Sequence, residues 1–194
     1  MFERTAIKIS CWMVRNKIIE SDRIMVVKWG IRSILDTIFN IMTFLIIGLF
    51  MRMVTEIIVF TLGYIPLRSY AGGYHAKTPL RCWIISNLIL FVAMKMICYM
   101  KNFTSIFVFL AIISVYILIV LMPVSDIHKP LNENDKNKYK LIGVVILAIE
   151  ITITIIFYII AWENMVYCFF SVWIILAVML ILGKLKNKKK ENST

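Results

Sequence analysis

The chain carries only two histidines and four cysteines in 194 residues, and its cysteines, at 11, 82, 98 and 168, are never close together. That pattern excludes the paired-ligand spacing of a structural zinc site and a disulfide framework, so no metal and no cofactor is expected. Acidic residues are scarce, 11 Asp and Glu against 22 Lys and Arg, a net charge of +11. No glycine-rich phosphate loop occurs, and no internal repeat of the kind that marks many transporters. The first 30 residues lack the uninterrupted apolar core of a cleaved signal peptide.

What the chain has in excess is apolar length. With 61% hydrophobic residues and a mean hydropathy of +0.85, it lies well above the roughly 45–50% of soluble domains. Apolar runs occur at 34–50, 53–66, 83–100, 104–122, 141–160 and 163–182, against about 20 residues for one membrane crossing. The second run is short and holds Gly63 and Pro66, so it is expected to cross with little tilt, to stop short, or to be re-entrant. Ahead of these runs, Ile7, Cys11, Val14 and Ile18 share one helical face and Arg4, Lys8 and Arg15 another. That is the pattern of an amphipathic helix in the membrane interface or packed on the protein itself. The expected fold is an all-α integral membrane protein with about six transmembrane or partly spanning helices and an N-terminal amphipathic helix. It forms a single polytopic domain over 1–194: an amphipathic segment at 1–30, membrane helices at 34–182 with a loop at 67–82, and a basic tail at 183–194.

Charge placement orients the six-crossing arrangement. If both ends are cytoplasmic, all of the 22 Lys and Arg except Arg52, Lys95 and Lys101 fall on the cytoplasmic side, as the positive-inside rule requires. The basic loops and the tail KLKNKKK are explained by topology and by contact with anionic membrane lipids, and nucleic acid is not an expected partner. Within the apolar runs Asp36, Glu56, Lys95 and Glu150 are costly. Snorkelling accounts for Asp36 and Lys95, while Glu56 and Glu150 are expected to pair with Lys95 or Arg52, or to hold a polar substrate.

One short segment carries chemistry. In LRSYAGGYHAKTPLRCWIISN, residues 67–87, His75 precedes Cys82 by seven residues at the edge of a span. A cysteine attacks only as thiolate, and His75 is the nearby base. Gly72 and Gly73 permit a sharp turn, Thr78 and Pro79 read as N-cap and first residue of a helix, and Cys82 then falls in its first turn or so. There the helix dipole, with Arg81 and Arg68, favours the thiolate. The plain alternative is a packing cysteine beside a surface histidine; that reading suits Cys11, Cys98 and Cys168 better than Cys82.

Leu67, Arg68, Ala71, Gly72, Gly73, His75 and Ala76, followed by Cys82 and Ser86, resemble the signature of the accessory gene regulator B family, membrane cysteine endopeptidases of Gram-positive quorum sensing. The stretch MPVSDIHKPL at 122–131 is similar to a second family segment through Pro123, Lys129 and Pro130. The resemblance implies His75 as base and Cys82 as nucleophile, with Arg68, Gly72, Gly73, Arg81, Ser86 and Lys129 supporting the site or binding substrate. It also implies a propeptide substrate with an amphipathic leader, a central cysteine- or serine-bearing signal segment and an acidic C-terminal tail. The tail would be cleaved through an acyl-enzyme thioester and the signal cyclised as a thiolactone or lactone, at a cell membrane, with a homodimer left open. Two rivals belong to other classes: a small transporter or channel, and a non-catalytic scaffold that binds a peptide.

Overall fold

The computed structural model describes residues 2–73, 78–124 and 133–191. Seven helices account for nearly all of them: α1 (Glu3–Arg15), α2 (Ile24–Met51), α3 (Val54–Ala71), α4 (Pro79–Met100), α5 (Thr104–Leu121), α6 (Glu133–Ile159) and α7 (Glu163–Glu191). All but α1 and α3 are long and apolar enough to cross a membrane. Helix α3 has 18 residues, the same length as α5, about 27 Å of rise against a hydrocarbon core of about 30 Å, so composition and not length sets it apart. Glu56, Pro66 and Arg68 lower its apolar content, so the expectation of a sixth, partly spanning segment falls on α3.

Helices α2 to α7 alternate in direction. Three tight turns, at 52–53, 101–103 and 160–162, join them in pairs at one end of the bundle. Two of these turns use a non-glycine residue in the left-handed region, Arg52 (φ 55°) and Ala161 (φ 59°), which stops the helix and turns the chain within a few residues. At the opposite end lie the exits of α3 and α5 and the starts of α4 and α6.

The core forms around α7, which packs against α3, α4, α5 and α6. Of its spanning stretch 72% is buried, against 6% for α2, so α7 is the central helix and α2 a peripheral one. Val172, Trp173, Leu176 and Leu180 of α7 meet Phe60 and Leu67 of α3, Leu90, Met94 and Ile97 of α4, Leu118 of α5 and Leu147 of α6. Ser114, Thr152 and Thr154 return their hydroxyls to the carbonyl four residues earlier, which satisfies these groups inside the helix where water is absent.

The carboxylates in the membrane find partners other than those expected. Glu56 accepts from the Asn164 amide at 3.0 Å, and buried Glu150 accepts from the Trp173 indole N–H at 2.8 Å, in place of Lys95 or Arg52. Lys95 lies instead over the Phe91 ring, 5.7 Å from its centroid, and Asp36 beside Arg32 at 3.9 Å. A neutral N–H donor satisfies a buried oxygen without burying a second charge, which lowers the desolvation cost.

The N-terminal segment also departs from a single amphipathic helix over 1–30. Helix α1 ends at Arg15, Lys17 takes φ 57°, a 3-10 turn covers Ser21–Arg23, and α2 begins at Ile24, ten residues before the expected apolar run. Of the two alternatives for α1, packing on the protein itself is seen: Ala6 and Ser10 are buried, with α1 packed on α2, while Ile7 and Trp12 stay exposed. Its tether is ionic: Glu3 accepts from Lys28 Nζ at 3.2 Å and stands 3.9 Å from Arg32.

The bond from Lys28 and the charges of Lys28 and Arg32 hold the Glu3 carboxyl below its ordinary range. A lowered native pKa contributes stability above the unfolded value and loses it as pH falls through the lowered one. Amide exchange in α1, corrected for its intrinsic pH dependence, should therefore accelerate as pH drops below about 4.3. Glu3→Gln should show that faster exchange already at neutral pH. Unchanged exchange in Glu3→Gln would mean that the contacts of Ala6 and Ser10 alone hold α1.

Candidate active site

The segment singled out by the sequence begins where α3 stops. Gly72 (φ 75°) and Gly73 (φ 111°) turn the chain out of the helix, and Gly72 forms an isolated parallel bridge with Val124, three residues past the end of α5. The Val124 N–H donates to Ala71 O at 2.9 Å, and the Gly73 N–H to Val124 O at 3.3 Å. Arg68 reaches forward one turn and donates from Nη1 to Gly72 O at 2.6 Å. Both glycines are required sterically as well as conformationally. A Cβ on Gly72 would collide with the Val124 carbonyl oxygen, and one on Gly73 would sit 2.8 Å from Arg68 Nη1 and 3.1 Å from the Met179 carbonyl oxygen of α7.

The second half of the segment is built by helix capping. Thr78 is extended (φ −133°, ψ 149°), its hydroxyl accepts from the Arg81 N–H at 3.4 Å, and Pro79 is the first helical residue. The Cys82 N–H closes the first turn of α4 onto Thr78 O at 3.0 Å, and the Cys82 side chain is exposed. That turn is anchored sideways. Trp83 donates from Nε1 to the Thr43 hydroxyl at 3.2 Å and its ring lies 5.8 Å from Phe39, both on α2.

Sequence reasoning missed the residue that relates the two halves. Tyr64 stands within electrostatic reach of both Arg68 and Cys82, and its ring stacks on Phe60 at 5.3 Å. The available signal was its position four residues before Arg68, on the same face of α3. Val124 and Met179 were missed as well, because their contacts cross more than fifty residues of sequence. Of the residues expected to form the site, Arg68, Gly72 and Gly73 meet at the end of α3, and Cys82 lies on the first turn of α4. Arg81 is exposed and contributes its backbone N–H to the cap, and Ser86 follows one turn below Cys82 on α4. His75 and Lys129 lie outside the described residues. Among the described residues no cluster of His, Cys, Asp and Glu could hold a metal.

The starts and ends of the basic segments converge on this same end. Tyr139, between Lys138 and Lys140 on α6, lies 5.6 Å from Tyr70 of α3, and the lysines at 184–190 continue α7 beyond Met179. The arrangement defines a class: a multi-pass helical membrane protein that displays a cysteine on a capped first turn, beside a glycine strap and a basic surface. Residues 6–182 match accessory gene regulator B (AgrB), and the chain belongs to that family. Membership ties it to the accessory gene regulator quorum-sensing system and to a family of peptidase-like processing proteins. It is similar to an AgrB-like protein of Clostridium perfringens strain SM101, 28% identical over 157 residues (74% of this chain, 73% of the relative). It is also similar to AgrB-like protein 2 of Clostridium perfringens strain 13, 24% identical over 156 residues, with the same coverage of each chain. No solved structure matches the chain.

The strap makes a stability prediction. Gly72→Ala meets both a positive φ and the Val124 carbonyl, and should lower stability by about 1–3 kcal/mol, read as a lower Tm in detergent. Gly30→Ala on α2, where a Cβ meets nothing within 4 Å, should leave Tm unchanged or raise it. Equal Tm values for the two variants would show that the bridge to Val124 carries no stability.

Proposed function

We propose that the chain is a membrane-embedded cysteine endopeptidase that removes the acidic C-terminal tail of a quorum-sensing propeptide and cyclises the signal segment. The observation that carries this reading is the exposed Cys82 on the capped first turn of α4, where the helix terminus favours an anion. His75, seven residues earlier, is the base. It takes the Cys82 proton, and the Sγ thiolate attacks the scissile carbonyl. Collapse of the tetrahedral adduct breaks the C–N bond, and the tail leaves as an amine that receives the proton from His75. The signal segment remains as a thioester on Cys82. A thiol of the signal segment then displaces Cys82 as thiolate and leaves a cyclic thiolactone; a serine hydroxyl in its place gives a lactone. Thioester exchange conserves the acyl bond energy if water is kept from the site, which a membrane-edge setting favours.

Arg68 holds the strap closed through Gly72 O, so its role in this scheme is to position the backbone that leads to His75. The amphipathic leader of the substrate would share the interface with α1, which raises its effective concentration. Lysines around Tyr139 and along the end of α7, with Lys129, would attract the acidic tail on the cytoplasmic side. A transporter reading finds less support, because Glu56 Oε1 and Glu150 Oε2 accept from Asn164 and Trp173 in helix packing, although buried Glu150 Oε1 has no hydrogen-bond partner among the described residues.

The direct test is cleavage of a tagged propeptide by the full chain in vesicles. Cys82→Ala and His75→Ala should each reduce cleavage at least about 10³-fold, while Cys11→Ala, Cys98→Ala and Cys168→Ala keep it. Normal processing by Cys82→Ala ends the enzyme reading. Charge reversal tests the tail. Glutamate at Lys129, Lys136, Lys138 and Lys140 should raise the KM, and lysines in place of the acidic tail residues should partly restore it. Loss without such rescue would assign these lysines to folding, topology or lipid contact.

A further inference from the structure

At the end of the bundle opposite Cys82, α5 and α6 are held apart over α7 and enclose a groove of about 600 Å³, within the range of ligand sites. Its floor is buried Trp173 and Tyr167, and its walls are apolar residues such as Val108, Ile155 and Phe170. Its mouth holds one charge of each sign, Lys101 from the turn between α4 and α5 and Glu163 from the start of α7. Both are exposed, and among the described residues neither makes an ion pair. The mouth is rigidly built: the Trp162 N–H donates to Phe157 O at 2.9 Å, and the hydroxyls of Thr104 and Tyr167 meet at 3.1 Å.

Length identifies the occupant. From Glu163 to Trp173 α7 rises about 15 Å, half of a hydrocarbon core of about 30 Å, so the groove spans one leaflet from its headgroup level to the midplane. We propose that it binds one amine-bearing zwitterionic phospholipid of that leaflet. The phosphate is held by Lys101, the ammonium by Glu163, and one acyl chain lies along α7 as far as Trp173. A phospholipid with an anionic headgroup and no amine would satisfy Lys101 but leave Glu163 facing a phosphate, so the pair selects for the amine.

The test uses the full chain in mild detergent, titrated with dioleoyl phosphatidylethanolamine or dioleoyl phosphatidylglycerol, with native mass spectrometry counting the retained lipids. The wild type should hold one phosphatidylethanolamine about tenfold more tightly than phosphatidylglycerol, the scale of one charge-assisted hydrogen bond. Glu163→Gln should erase that preference, weakening phosphatidylethanolamine and not phosphatidylglycerol, from which it removes a like-charge repulsion. Ile155→Trp, at a lipid-facing position on the wall, should weaken both lipids by filling the groove. Equal retention of the two lipids by the wild type, or a preference untouched by either variant, would reduce the groove to ordinary annular contact and overturn the proposal. A dimer mass that disappears in Ile155→Trp would give the groove to a second copy of the chain and overturn it equally.

Discussion

The backbone pairing of Gly72 with Val124 is the constraint on which the candidate site depends. Irregular backbone at the membrane edge must satisfy its own hydrogen bonds, because it cannot rely on water below that level. Here the exit of α3 and the exit of α5 satisfy each other through two N–H···O bonds, and Arg68 satisfies the Gly72 carbonyl. The close approach of Val124 O leaves no room for a Cβ at Gly72, and the Met179 carbonyl of α7 would be in tight contact with one at Gly73. Three helices are thereby tied together at the point where the chain sets out for His75.

Around that tie the bundle is arranged by burial and charge. Helix α7 is central because four other helices pack on it, and hydropathy does not single it out, since α5 is as apolar and lies largely at the periphery. Glu56 and Glu150 are retained by neutral donors, Asn164 and Trp173, at the packed surface of α7, while Asp36 on peripheral α2 stands beside Arg32. These contacts give intramembrane acids a structural account.

The two ends of the bundle differ in kind. One end has three tight turns and a groove whose mouth carries Lys101 and Glu163, not paired with each other. The other gathers the strap, the capped turn of α4, the ionic tether of α1 and most of the lysines. The exposed thiol of Cys82 and the positive charge of α6 and α7 lie at the second end. The first end suits contact with lipid.

Features set by neighbours along the chain are legible in the amino-acid sequence by itself. Apolar length announces the spans, Thr78–Pro79 announces the start of α4, and the glycine pair announces the turn before His75, since capping and backbone freedom are local properties. The family resemblance is legible for the same reason, being carried by a contiguous signature. The sequence misleads where a polar residue lies inside a helix for tertiary reasons. Polar residues at 24–33 hide the first ten residues of α2, whose Lys28 and Arg32 are occupied by Glu3. The partners of Glu56 and Glu150 and the approach of Val124 to Gly72 are decided only by the tertiary structure. Each depends on which helices stand side by side around α7, and hydropathy, which makes a helix long enough to span, does not choose its neighbours in the membrane.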